Sequence, residues 1–117
     1  MDKHFTEIEI AGKKYPLNYS IRASRKITEL PDLGDDAILQ DVYEHNIHYL
    51  FVLLEEGADY KKRFLGEDGG FELSEEDLMA YFFPTDTEEI VKAVQDAMTA
   101  GTQRRSEEHT SELQSLP

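Results

Sequence analysis

The stretch DDAILQDVYEHNIHYLFVLLEE, residues Asp35 to Glu56, decides the fold, because it alone combines helical spacing with enough apolar side chains to seed a core. Asp35 or Asp36 is suited to cap its first turn, and Gly57 stands where a left-handed residue would end it. Its apolar positions cover more than half of the helix circumference, so we expect other elements to cover it from more than one direction. These positions are Ile38, Leu39, Val42, Tyr43, Ile47, Tyr49, Leu50, Leu53 and Leu54.

A β-hairpin is predicted ahead of this helix. Phe5 to Ile10 alternates imperfectly with period two, Ala11-Gly12-Lys13 is a turn signal, and Lys14 to Leu17 is a second extended run. Pro16 cannot donate to a ladder, so its strand should be an edge strand or should end there. A two-stranded ribbon is marginally stable alone. We therefore expect it to pack on the helices through Ile8, Ile10, Tyr15 and Leu17.

Start and stop signals predict four further helices around the central one. Ser20 is a candidate N-cap, Ser74 with Asp77 approximates a capping box, and Thr85 with Glu88 repeats that device. The predicted helices are Ile21–Leu30, Ala58–Leu65, Glu75–Phe83 and about Thr85–Gly101. The predicted fold is α+β and mostly α, with the N-terminal hairpin (residues 4–18) packed on a bundle of about four to five helices (residues 20–101). Residues 1–104 should form a single domain.

Composition excludes several classes of function. The chain of 117 residues has no cysteine, which rules out disulfides, thiolate catalysis and iron–sulfur clusters. It has no apolar run long enough for a membrane span and no signal-peptide pattern, so we expect a cytosolic protein. The net charge of -13 opposes binding to nucleic acid or anionic lipid.

The charges are unevenly distributed along the chain. Residues 11–28 contain five basic side chains and no acid, whereas residues 27–60 contain nine acids and no lysine or arginine. Three interpretations remain open: two solvated faces of opposite sign, an internal contact between them, or self-association of like molecules head to tail.

No pattern of catalytic or metal-binding residues appears. Glu44, His45 and His48 lie close in sequence, but the histidines are three residues apart and lack the spacing of a zinc-protease helix, so polar-face residues are the favoured interpretation. Adjacent acids such as Asp35 and Asp36 are explained as helix-end charges. There is no glycine-rich phosphate loop and no serine elbow. We expect no enzymatic activity, no cofactor and no metal.

Tyr81, Phe82 and Phe83 place three aromatic side chains in a row before Pro84. The favoured interpretation is a core plug that closes the bundle, with at least one ring reaching the surface. The alternative is an apolar docking patch surrounded by acids.

The C-terminal segment differs in character from the rest. Arg105 to Ser115 reads RSEEHTSELQS, which resembles an in-frame translation of a sequencing-library adapter. We therefore expect residues 105–117 to be an artefactual tail, disordered or at most a frayed helical turn.

The order of elements resembles the tail assembly chaperones of long-tailed bacteriophages. The resemblance begins with IEIAGKKYPL at Ile8–Leu17 followed by YSIRA at Tyr19–Ala23. It continues with LLEEG at Leu53–Gly57, LSEEDL at Leu73–Leu78 and IVKAV at Ile90–Val94.

The resemblance implies a non-enzymatic protein of the infected host's cytoplasm, absent from the mature virion. It would keep the apolar, helical tape measure protein soluble and help to recruit tail tube protein. The expected partner-binding surface is the uncovered side of the central helix together with the aromatic triplet, namely Tyr43, Ile47, Leu54, Tyr81, Phe82 and Phe83. Two alternatives are a small structural protein such as a head–tail connector, and an acidic DNA mimic that inhibits a host enzyme.

Overall fold

The structure, a computed structural model, describes residues 6–67 and 70–108, with side chains as far as Thr102. Two antiparallel strands, β1 (Thr6–Ile10) and β2 (Lys13–Leu17), are followed by four α-helices and a short 3-10 helix. The helices are α1 (Ile21–Thr28), α2 (Leu39–Phe64), α3 (Glu75–Tyr81) and α4 (Thr87–Glu108), and the 3-10 turn Pro84–Asp86 precedes α4. This confirms the predicted α+β, mostly α class.

The hairpin closes through a two-residue turn at Ala11 and Gly12, whose φ angles of 54° and 83° are both positive. Positive φ at both central positions is the requirement of a type I′ turn, which matches the twist of the strands. Register pairs Ile8 with Tyr15 and Glu7 with Pro16. Opposite residues alternate between hydrogen-bonded and non-hydrogen-bonded pairs, starting with the hydrogen-bonded pair next to the turn. Pro16 is in a non-hydrogen-bonded pair, so the ladder needs no N–H from it.

Helix α2 is the centre of the molecule and packs against β2, α1, α3 and α4. Its fully buried leucines Leu50, Leu53 and Leu54 meet the inner sides of the hairpin and the other helices. The hairpin contributes the four side chains predicted for it, Ile8, Ile10, Tyr15 and Leu17, and α4 contributes Ile90, Val94 and Ala97. One shared core therefore joins the strands to the helices.

The predicted limits of the central helix were wrong at both ends. The helix begins at Leu39, not Asp35, and its first turn is capped by Asp41, whose carboxylate accepts from the Ile38 N–H at 3.0 Å. It continues through Gly57 without interruption, so the segment Ala58–Leu65, predicted as a separate helix, belongs to α2 as far as Phe64. Phe64, the last residue of this helix, is 66% exposed.

Gly57 lies inside α2 because β2 passes directly against it. A Cβ added at Gly57 would lie 2.1 Å from the carbonyl oxygen of Pro16, far inside van der Waals contact. Gly101, predicted to end the last helix, lies inside α4 for the same reason, since an added Cβ would lie 2.5 Å from the Tyr19 carbonyl oxygen. Both glycines allow a close approach of backbones, and neither is a stop signal.

The remaining predicted caps were right in part. Ser20 accepts from the Ala23 N–H at 3.1 Å, as predicted for α1, but the helix ends at Thr28 and Ile21 is exposed. The capping box of Ser74 and Asp77 is confirmed by both of its hydrogen bonds, at 2.9 and 3.1 Å. The device predicted for Thr85 and Glu88 was wrong.

Before α4, Asp86 accepts from the Phe83 N–H at 2.8 Å and closes the 3-10 turn instead. Helix α4 continues for one turn into residues 105–108, and the rest of the expected tail lies outside the described residues, as do residues 4 and 5 of the predicted hairpin. Within the described part, no helix combines the length and the apolar content needed to cross a bilayer.

Candidate functional site

An apolar groove lies between the N-terminal half of α2 and the connection from α3 to α4. Ile47 and Phe82 are buried and form its floor, Tyr43 is half-buried, and Phe83 stands on the rim with 68% of its surface exposed. The groove has a volume of about 180 Å³. Its wall is completed by Met79, Pro84, Thr87 and Ile90, with Gln40 and Glu44 at the polar edge.

Local sequence explains why these aromatic side chains point apart. Helix α3 ends at Tyr81, and Phe82 and Phe83 adopt extended backbone with ψ of 143° and 160°. Successive side chains of extended backbone point in opposite directions, so Phe82 enters the core and Phe83 faces solvent. Pro84 then starts the 3-10 turn. The triplet is thus both a core plug and a surface patch.

The structure brings together four of the six predicted partner-binding residues. Tyr43, Ile47, Phe82 and Phe83 line the groove. Tyr81 is 44% exposed and packs edge-on against Phe82 with ring centroids 5.0 Å apart, but it does not line the groove. Leu54 has no exposed surface and belongs to the core, so its prediction as a surface contact was wrong.

The sequence also contained an exposed apolar residue, next to the groove lining in sequence, that was not proposed as a contact. Leu39 is 63% exposed and lies four residues before Tyr43, which lies four before Ile47. Residues at this spacing share one face of a helix, so Leu39 extends the apolar row toward the start of α2. The wide apolar stripe was a signal for it, but only the tertiary structure shows which part of that stripe remains uncovered.

The banks of the groove carry negative charge alone. Residues 39–47 of α2 and residues 75–89 across from them contain eight aspartates and glutamates and no lysine or arginine. Glu44 lies on the groove itself. An apolar centre inside such a field favours a ligand that is apolar with basic flanks.

The histidines near the groove have separate partners. His45 Nε2 lies 2.8 Å from the Tyr49 hydroxyl, and His48 Nδ1 lies 2.6 Å from a carboxylate oxygen of Glu75. Among the described side chains of residues 6–67 and 70–102, no three histidines, aspartates or glutamates come together as a metal site would require. His45 therefore has a partner within α2, and His48 joins α2 to α3.

An ionic network at the other end of α2 is an internal contact of the kind kept as one interpretation of the charge distribution, although the residues that form it were not predicted. Glu56, only 4% exposed, accepts from Ser20 Oγ at 3.1 Å, from Arg22 Nε at 2.9 Å and from Lys26 Nζ at 3.0 Å. Arg22 also donates to Asp59 at 2.7 Å. The partners are thirty or more residues apart in sequence, so no local pattern indicates which residues pair.

The network shifts the titration of its members. Burial alone would raise the pKa of Glu56, but hydrogen bonds from Arg22 and Lys26 outweigh it and lower the pKa below its usual value. The hydrogen bond to Glu56 is in turn the main cause of a raised pKa for Arg22. The carboxylate therefore stays ionised and fixes α1 onto α2.

Comparison with known proteins adds no relative to this description. No protein-family model, no curated protein and no solved structure matches the chain. The argument for function consequently depends on the groove and its charges.

Proposed function

We propose that this chain is a non-enzymatic tail assembly chaperone that binds an apolar helix of a phage tape measure protein in the groove between α2 and the α3–α4 connection. It would act in the host cytoplasm, need no cofactor and be absent from the mature virion. Tail tube protein is its second proposed partner. The observation that carries the proposal is an open apolar groove whose two banks bear only acids.

The dimensions of the groove suit one large side chain of a helical client. An engineered apolar cavity of about 150 Å³ accommodates benzene, and the groove measures about 180 Å³. A leucine or phenylalanine of the client would occupy it, while the exposed faces of Leu39 and Phe83 would cover the next turns of the client helix. Binding of this kind hides apolar surface that would otherwise aggregate.

The charges support the same class of client. Net charge of -13 keeps a complex with an apolar chain soluble. The acids of the banks would pair with lysines and arginines that flank the client's apolar residues. We therefore expect affinity to fall as salt concentration rises, with the apolar contribution remaining at high salt.

The exposed apolar side chains favour a chaperone over a DNA mimic, since a DNA mimic requires arrayed carboxylates and gains nothing from an exposed Phe83. A head–tail connector differs from a chaperone in its destination. Mass spectrometry of purified mature virions distinguishes them, because a connector stays in the particle and a chaperone does not.

The direct test is co-expression with the tape measure protein encoded in the same phage genome. The variant Tyr43→Ser/Phe83→Ser removes the rim, and we expect a loss of affinity of about tenfold or more, with the tape measure protein moving to the insoluble fraction. Phe64→Ser is the matched control, because Phe64 is 66% exposed, as Phe83 is 68% exposed, but lies at the far end of α2. Equal solubility and co-purification for all variants would overturn the proposal.

A further inference from the structure

A second exposed apolar surface lies at the C-terminal end of α2, away from the groove. Ile21 is 90% exposed and Phe64 is 66% exposed, and both line one shallow depression together with Tyr60. The depression has a volume of about 530 Å³. Exposed apolar side chains that lie together on one surface are typical of interaction sites.

The floor of this depression is held in place by the ionic network. Glu56 and Asp59 together fix the guanidinium of Arg22 from two sides, at 2.9 and 2.7 Å. Because α1 and α2 are joined through this buried carboxylate, Ile21 at the start of α1 is held in a defined position opposite Phe64. The surface is therefore preorganised for binding, which lowers the entropy lost when a partner docks.

The two helix segments that form the depression are basic, on an otherwise strongly acidic protein. Residues 20–29 and 56–64 contain six of the twelve lysines and arginines of the chain and only three acids. One of those acids, Glu56, is buried and another, Asp59, is bound to Arg22 and Arg63. Arg63 lines the depression and is 56% exposed, and Arg25 and Lys62 are exposed on the same two helices.

We propose that this surface, defined by Ile21, Tyr60 and Phe64 with Arg63 beside them, docks an acidic amphipathic segment of a second protein. An apolar side chain of that segment would lie between Ile21 and Phe64, and its carboxylates would meet Arg63 and the exposed basic residues Arg25 and Lys62 of the same two helices. The charge complementarity carries the choice of partner, because the net charge of the chain repels an acidic ligand whereas these two basic segments attract one. The inference is independent of the proposed function.

The two surfaces can be occupied at the same time. Tyr43 in the groove and Tyr60 in the depression are seventeen residues apart on one continuous helix, which corresponds to about 25 Å along its axis. A chain that binds a basic apolar helix at one end of α2 and an acidic apolar segment at the other is an adaptor between proteins of opposite charge.

The test uses two fluorescein-labelled helical peptides that share one leucine face, one with glutamates and the other with lysines on the remaining positions. Fluorescence anisotropy measures their binding to the full chain. We expect the glutamate peptide to bind, and Phe64→Glu to weaken it about tenfold or more. Phe83→Glu, the matched control in the groove, should leave its affinity unchanged. Circular dichroism of both variants verifies that they are folded.

Amide shift mapping by NMR locates the bound peptide. Shifts confined to residues 20–26 and 56–64 on addition of the glutamate peptide would support the assignment. No binding, or shifts around residues 40–47 and 82–87, would overturn it. Sedimentation velocity tests the remaining occupant: concentration-dependent dimers that Phe64→Glu abolishes would show that a second copy of the chain covers this surface, and would also overturn it.

Discussion

Replacing Gly57 with alanine tests the packing of the hairpin against α2. In an exposed helix interior, glycine to alanine stabilises by about 1 kcal/mol. Here the new Cβ would lie 2.1 Å from the Pro16 carbonyl oxygen and 2.7 Å from its carbonyl carbon, both backbone atoms that cannot rotate away. Restoring ordinary contact at 3.4 Å or more requires β2 to move by over an ångström from the core.

That movement has a defined structural consequence. It would stretch the hydrogen bond from the Asn18 N–H to the Leu53 carbonyl, which is 3.2 Å long, and would loosen Leu17, which is 2% exposed. Overpacking of this kind costs about 1–3 kcal/mol and more where backbone must shift. The gain in helix propensity offsets part of this overpacking cost, so we expect Gly57→Ala to lose about 2 kcal/mol of stability.

Urea unfolding followed by circular dichroism measures the change in the free energy of unfolding. Ala100→Gly, at an exposed position of α4, calibrates helix propensity in the same protein and should cost about 1 kcal/mol. A Gly57→Ala variant as stable as the parent, or more stable, would refute the close contact between α2 and β2.

Three further predictions concern the turn, the ionic network and the core. Ala11→Asn should raise stability by about 0.5–1 kcal/mol in thermal unfolding, because asparagine tolerates the positive φ of 54° better than alanine; Gly12→Ala, at φ 83°, should lower it. Glu56→Gln should cost about 1–3 kcal/mol at neutral pH. Because folding lowers the pKa of Glu56, its ionised carboxylate stabilises the fold at pH values above its ordinary pKa of 4.5, and this contribution is lost as the pH falls below that value. The urea midpoints of variant and parent should therefore converge in acid. Leu54→Ala should cost about 2–5 kcal/mol, whereas Leu39→Ala, at a 63% exposed site, should change stability by less than about 0.5 kcal/mol; similar losses would contradict the assigned burial of these leucines.

Local chemistry in the sequence determined the hairpin, the fold class and several helix starts. Alternation around Ala11 and Gly12 specified a turn, and Ser20 and Ser74 specified caps, because each signal acts over a few bonds and needs no distant partner. The aromatic triplet and the row through Tyr43 also indicated where an apolar surface would lie. These features are properties of short segments, so a sequence can reveal them.

Tertiary structure alone decided where the long helices end and which apolar residues stay exposed. Glycine commonly ends a helix, and both Gly57 and Gly101 were interpreted in that way. The helices instead continue through them, and the backbone of Pro16 or Tyr19 lies where a side chain would be. Leu54 and Leu39 belong to one apolar stripe, yet the first is buried by neighbouring elements and the second is left free. The network at Glu56 likewise joins residues distant in sequence. Such outcomes depend on which surfaces meet, and that is settled only when the whole chain packs.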